Sequence, residues 1–206
     1  MDRLPGFETH PPHIPRDQPS HAADSCPEHQ AGWRNWLQSR SHASSKKAAM
    51  RRVTYKDMVA EITPQIKECF PWDVEEKMDA GEELLFLDVR ENQEYDTMCI
   101  EDSLHVPRGI LETAVEWDHE ETEPDLVEAR DKQIIVVCRS GSRSVFATYT
   151  LMQMGYQNVT SLKTGLRGWN EYDLPLVDME GNSVDPELGD KYFANKLLDY
   201  QRKPKA

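Results

Sequence analysis

The chain of 206 residues has no apolar run near the ~20 residues that a membrane-spanning helix requires, which excludes an integral helical membrane protein. Its four cysteines, Cys26, Cys69, Cys99 and Cys138, lie far apart and form no Cys-x-x-Cys pair. That scatter argues against a disulfide framework and against a four-thiolate zinc site, and it suits a reducing compartment. Basic charge is short as well: 24 Lys and Arg stand against 37 Asp and Glu, a formal charge of -13. Six of those cations and five of those anions fall in residues 1–50, which leaves 18 against 32 in residues 51–206. Such a field repels phosphate backbones, so no nucleic-acid partner is expected, and its plainest use is a solvated acidic surface. The first twenty residues have no continuous apolar core of the secretory type, and a cytoplasmic location is expected.

What is present divides unevenly. Residues 1–50 hold six of the 13 prolines and five of the seven histidines but few aliphatic side chains, a composition too poor in apolar surface to offset ordering entropy. They read as a disordered tail. Cys26-Pro27-Glu28-His29, with His10, His13 and His21 nearby, resembles a metal-binding cluster, but solvated histidines in a tail are the commoner case and no metal is expected. Met50 opens the ordered pattern and is an alternative translation start. A domain is expected over 51–178, with its core at about 73–177. After it, 179–206 form a tail whose Leu188, Tyr192, Phe193, Leu197 and Leu198 mark an amphipathic helix packed back on the domain.

Within the domain, Met58, Val59, Ile62 and Ile66 recur at helical spacing between Val53 and Phe70, interrupted by Pro64. Further helices are expected at Trp72 to Ala80, Ile110 to Trp117, Ser142 to Met154 and Gly165 to Tyr172. Strands are expected at Leu84 to Leu87, Gln133 to Val137 and Val159 to Leu162. Strands alternating with helices imply an α/β fold with a small parallel sheet covered on both faces. Sites in such sheets form at the carboxyl ends of strands, which is where Cys138 falls.

Cys138 ends the clearest strand and opens the run Cys138-Arg139-Ser140-Gly141-Ser142-Arg143-Ser144 into a helix. Converging backbone N–H groups and the positive end of the helix dipole favour thiolate over thiol there, and Arg139 and Arg143 add positive charge. Gly141 lets the backbone turn its amides inward as an anion-binding nest. A buried structural cysteine with two surface arginines would leave this particular run unexplained.

Three ordered blocks, Leu87-Asp88-Val89-Arg90-Glu91 with Glu94-Tyr95, the loop 138–144, and Leu162-Lys163-Thr164-Gly165 with Trp169 and Pro175, resemble the rhodanese-like sulfurtransferases over roughly Asp73 to Val177. The resemblance implies a three-layer α/β/α fold and a double displacement through a Cys138 persulfide, with no metal or organic cofactor. It implies a donor such as thiosulfate or a persulfide, and a thiol, cyanide or a sulfur-carrier protein as acceptor. Under it the amides of Ser140 to Ser144 hold the persulfide, Arg139 and Arg143 orient the donor's sulfonate, and Asp88 and Arg90 either pin the loop or form a structural salt bridge. Where the family usually has Gly-His-Ile-x-Gly-Ala, this chain reads Met98-Cys99-Ile100-Glu101-Asp102-Ser103. Cys99 in the histidine position is either a resolving thiol or a packing residue; Cys69 is expected in the core.

Two other functions compete. A cysteine phosphatase, or an arsenate reductase of related architecture, also places a thiolate in an anion-binding loop, but phosphatase loops read Cys-x5-Arg. Here position 144 is serine and the arginine comes one residue early, at Arg143, while Val137 rather than a histidine precedes the cysteine. A non-catalytic interaction module of the same fold is the remaining alternative, although the nucleophile is present.

Overall fold

The computed structural model describes residues 52–204. The expected tail, its Cys26 and His29 cluster and the alternative start at Met50 all lie outside the described residues. Five strands, β1 (Lys67–Cys69), β2 (Leu84–Asp88), β3 (Leu104–His105), β4 (Gln133–Val137) and β5 (Val159–Leu162), form one parallel sheet in the order β1-β5-β4-β2-β3. Eight α-helices connect and flank them among the described residues: α1 (Tyr55–Ile62), α2 (Pro71–Asp79), α3 (Asn92–Tyr95), α4 (Leu111–Ala114), α5 (Pro124–Val127), α6 (Ser142–Gln153), α7 (Gly165–Glu171) and α8 (Pro186–Phe193).

The central strands β2, β4 and β5 are largely buried on both faces, and their side chains divide between two separate cores, as the period of two requires. Leu87, Val89, Ile134, Val136, Cys138 and Val159 pack with Leu111 of α4, Leu126 of α5, and Ala147 and Leu151 of α6. Phe86, Ile135, Val137 and Leu162 pack on the other side with Val74 of α2, Leu166 and Trp169 of α7, and Phe193 of α8. Helices therefore cover both faces, the three-layer arrangement expected from the alternating pattern.

Several boundaries differ from expectation. The helical run after Val53 stops at Ile62, where Pro64 enters a 3₁₀ turn (Thr63–Gln65). The chain then enters β1, a strand with no apolar run that is held in place by pairing with β5. The helix expected from Ile110 to Trp117 shrinks to a 3₁₀ turn and the four residues of α4, because the chain leaves the helical path at Val115 and passes through a left-handed Asp118, φ 69°. The segment after 178 is integral to the domain: Gly189 of α8 lies directly on the Asn170 side chain of α7, where a Cβ would overlap it, and Phe193 is 4% exposed in the core. Of the other apolar residues expected to anchor it, Leu188, Leu197 and Leu198 remain exposed.

One buried ion pair fixes the connection from β2 to α3. Asp88 and Arg90 are both 0% exposed, with Arg90 Nη2 2.7 Å from Asp88 Oδ2. Arg90 Nε donates to the same carboxylate, and its two terminal nitrogens donate onward to the carbonyls of Glu94 and Met98. Desolvating two charges is tolerated only because almost every donor finds an acceptor. Asp88→Asn leaves the guanidinium buried without its counter-charge and is expected to cost about 3–5 kcal/mol. Urea unfolding measures this, and a loss under about 1 kcal/mol would contradict the role given to the pair.

Candidate active site

Cys138 follows β4 directly and is 1% exposed. Gly141 sits at the N-cap of α6 with φ 88°, a left-handed conformation suited to glycine, and so aims the first turn of α6 at the sulfur. The third amide of the helix, Ser144 N, donates to Cys138 Sγ at 3.3 Å. This is one of the N–H groups that a helix start leaves without an internal partner.

Behind the sulfur lies a short chain of hydroxyls. Ser144 Oγ is 3.5 Å from Cys138 Sγ, donates to the Gly141 carbonyl at 2.9 Å, and accepts from Ser161 Oγ of β5 at 2.8 Å. Ser144 and Ser161 are both 0% exposed. A serine hydroxyl carries one donor and two acceptor lone pairs, so Ser144 can accept an S–H or, by rotating away from Gly141, donate to a sulfur anion. The loop composition pointed to Ser144; Ser161 was missed, and its one signal is a small polar residue inside the apolar strand β5.

The loop rests on a close backbone seam. Leu166 N and Arg167 N, the second and third amides of α7, donate to the carbonyls of Cys138 at 2.8 Å and Arg139 at 3.0 Å. A Cβ on Gly165, φ 59°, would overlap the Cys138 carbonyl, and one on Gly141 would overlap the Lys163 carbonyl.

The two arginines take positions other than those expected. Arg143 is drawn sideways into a two-pronged ion pair with Glu94 of α3, at 2.6 and 2.8 Å. The negative charge of a Cys138 thiolate still adds to the forces, led by Glu94, that hold Arg143 charged. Arg139 turns toward α8: its Nη2 donates to the carbonyls of Tyr192 at 3.0 Å and Ala194 at 3.2 Å, and its guanidinium lies over the rings of Tyr192 and Phe193. It caps carbonyls left open at a helix end. Asp88 and Arg90 pin the connection that carries Glu94 rather than the cysteine loop itself, so their influence on Cys138 runs through Glu94 and Arg143.

The other described cysteines have local roles. Burial pushes the Cys69 thiol up to about 12, helped by Asp73, which keeps it protonated. Cys99 is buried, exchanges two backbone hydrogen bonds with Val177 at 2.9 Å each, and has its thiol raised by burial. The packing alternative for Cys99 therefore matches its surroundings better than a resolving role.

Residues 71–172 match the family model described as a rhodanese-like domain. The chain is 31% identical over 100 residues to a sulfurtransferase of Allochromatium vinosum, covering 48% of this chain and 84% of that protein. The chain belongs to the rhodanese-like family. It is also 33% identical over 94 residues to a Bacillus subtilis protein provisionally named sulfur carrier protein YrkF, covering 46% of this chain and 45% of that one. Among solved structures, it resembles a protein of unknown function from Rhodopseudomonas palustris, described as a possible tyrosine phosphatase. That likeness has a TM-score of 0.54 and 25% identity, and covers 64% of this chain and 98% of that one.

Two outcomes test the site. Gly165→Ala forces a Cβ into the seam in a strained conformation and is expected to cost more than about 2 kcal/mol and to displace the loop. Thermal unfolding, together with alkylation of Cys138, would detect it, and an unshifted melting temperature would refute the seam. For Glu94, burial raises the carboxyl, but the hydrogen bonds and charge of Arg143 outweigh it and leave it below the ordinary glutamate range. A depressed carboxylate contributes stability that is complete above its unfolded pKa and lost as pH falls through the folded one. Glu94→Gln should therefore flatten the acid limb of the urea-midpoint profile. A parallel shift at all pH values would count against the ion pair.

Proposed function

We propose that this rhodanese-like domain is a sulfurtransferase that accepts a sulfane sulfur from thiosulfate or a small persulfide onto Cys138 and passes it to a thiol or cyanide. The observation that carries the reading is the sulfur of Cys138 facing the third amide of α6 and the rotatable hydroxyl of Ser144. In the first displacement the Cys138 thiolate attacks the outer sulfur of thiosulfate; the S–S bond breaks and sulfite leaves with its electron pair. A persulfide remains on Cys138. In the second, an acceptor nucleophile attacks the outer sulfur and Cys138 leaves as a thiolate. Both steps balance without an added oxidant or reductant, and splitting the transfer through a covalent intermediate lowers the difficulty of each.

The protein's part is electrostatic. The Ser144 amide and the end of the helix dipole favour the sulfur anions before and after each displacement, and the Ser144 hydroxyl can turn toward whichever sulfur carries charge. With Arg143 engaged by Glu94 and Arg139 by α8, backbone donors rather than free guanidinium groups carry most of this work. A protein acceptor is a further part of the proposal, supported by the likeness to the provisionally named sulfur carrier.

The likeness to a possible tyrosine phosphatase keeps phosphate-ester hydrolysis as the second reading. A phosphate in this loop would need three oxygens satisfied. Yet Ser144 stands where the phosphatase pattern has arginine, and the neighbouring Arg143 is held by Glu94. Intact-mass measurement after incubation with thiosulfate is expected to show the gain of one sulfur atom in the parent protein and none in Cys138→Ser. Turnover of an aryl phosphate without sulfur uptake would reverse the order of the two readings.

A further inference from the structure

Ser161 places a hydroxyl where β5 faces an apolar core. It follows Val159 by two residues and lies in register with Val136 of β4, so it shares the sheet face that carries both valines and Cys138. It is 0% exposed, and among the described residues its hydroxyl has one partner, Ser144 Oγ at 2.8 Å. A buried hydroxyl without that partner would be costly, whereas alanine would need none. Core packing alone therefore does not call for the oxygen.

The direction of the contact follows from counting protons and lone pairs. Ser144 has one proton and two acceptor positions, and the Gly141 carbonyl at 2.9 Å and the sulfur of Cys138 at 3.5 Å both lie within its reach. Were that proton given to Ser161 instead, the Ser161 proton would be buried without an acceptor, so Ser161 is the donor of the pair. Beside a neutral thiol, the Ser144 oxygen accepts from Ser161 and from the S–H together, and two donors on one oxygen weaken each other. Beside a charged sulfur the bonds run in series, Ser161 to Ser144 to sulfur, and each polarises the next by about 10–30%.

We propose that Ser161 is a positioning residue for the sulfur chemistry, making the Ser144 hydroxyl a stronger donor to the charged sulfur of Cys138. The proposal rests on the sulfurtransferase reading. In the second displacement the acceptor attacks the outer sulfur of the persulfide and the S–S bond breaks. Its electron pair returns to Cys138 Sγ, and the Ser144 proton turns toward that charge without leaving its oxygen. The charged groups on the surrounding elements have partners of their own: Arg143 of α6 has Glu94, Asp88 of β2 has Arg90, Lys163 beyond β5 has Glu68 and Arg167 of α7 has Glu171, while Arg139 turns to the end of α8. Of these, Arg143 is the one held more firmly in its charged form by a Cys138 thiolate, and it is the same in every variant compared.

Two arms test the role. In the first, the rate of Cys138 alkylation by iodoacetamide is followed against pH by mass spectrometry of the peptide that carries it, in the full chain and in Ser161→Ala, Ser144→Ala and the double variant. The midpoint should rise by about half a pH unit in Ser161→Ala, roughly a threefold change in the thiolate equilibrium. In the Ser144→Ala background the same change should add nothing, because the residue through which Ser161 acts is gone. An unmoved midpoint, or an equal rise in both backgrounds, overturns the proposal, and so does a loss of stability with no movement of the midpoint. In the second arm, discharge of the persulfide-loaded protein to cyanide should slow about threefold in Ser161→Ala through kcat, and a change confined to KM overturns the role. Failure of Cys138 to load sulfur from thiosulfate would sink the sulfurtransferase reading, while the alkylation profile still reports on Ser161.

Discussion

The approach of two backbone segments, 138–141 and 163–165, is the constraint on which the rest of the site depends. Carbonyls at Cys138 and Arg139 accept the opening amides of α7, and the contact is so close that two glycines, Gly141 and Gly165, are needed to permit it. A loop ending a buried strand would ordinarily leave those carbonyls to water; here they are consumed by a helix N-terminus, which fixes the loop from below. Once the loop is seated, the φ of Gly141 sets the direction of α6, and the third amide of α6 meets the sulfur. The geometry at Cys138 follows from the seam more than from the loop's own side chains.

The charged side chains form a second tier that braces this arrangement. Asp88 and Arg90 are fully desolvated, and Arg90 hands its remaining donors to the carbonyls of Glu94 and Met98. Glu94, fixed by its backbone, presents its carboxylate to Arg143 at the start of α6. A charge buried under β2 thus reaches the mouth of the cysteine loop through three contacts. On the opposite side Arg139 fastens the loop to the end of α8. The arginines that follow the cysteine act as ties in two directions, which leaves the Ser144 amide and hydroxyl as groups facing the sulfur.

Much of this was legible from residue patterns, and what was hidden shares a physical character. β4 and β5 have the bounds that their β-branched and apolar runs indicate, α6 differs from expectation by one residue, and Cys138 lies where a strand end meets a helix start. Those features are local. The pairing of Arg143 with Glu94 joins residues 49 positions apart, and either partner alone reads as surface charge. The anchoring of Arg139 is harder still to foresee, because its acceptors are the carbonyls of Tyr192 and Ala194, and a carbonyl has no signature in side-chain identity. β1 escaped for a related reason: three residues, Lys67 to Cys69, become a strand only because β5 offers an edge to pair with.

The C-terminal segment shows how a family core acquires individuality. The family-matched residues end at 172, yet Phe193 completes the core above α7 and Gly189 allows α8 to lie against Asn170. Asn170 answers with donors to the Pro186 carbonyl and the Asp190 carboxylate, so α8 is joined through apolar packing and polar contacts at once. A segment fixed this firmly brings Lys196, Asn195 and Gln201 to the rim of the cysteine loop without touching the sulfur chemistry. The seam and the α6 N-terminus are built within the matched core, whereas a cavity beside the loop takes two of its cations, Arg139 and Arg167, from that core and a third, Lys196, from the segment beyond residue 172. The cysteine loop and the C-terminal segment are thus joined at Arg139, which follows Cys138 in the chain and donates to the carbonyls of Tyr192 and Ala194.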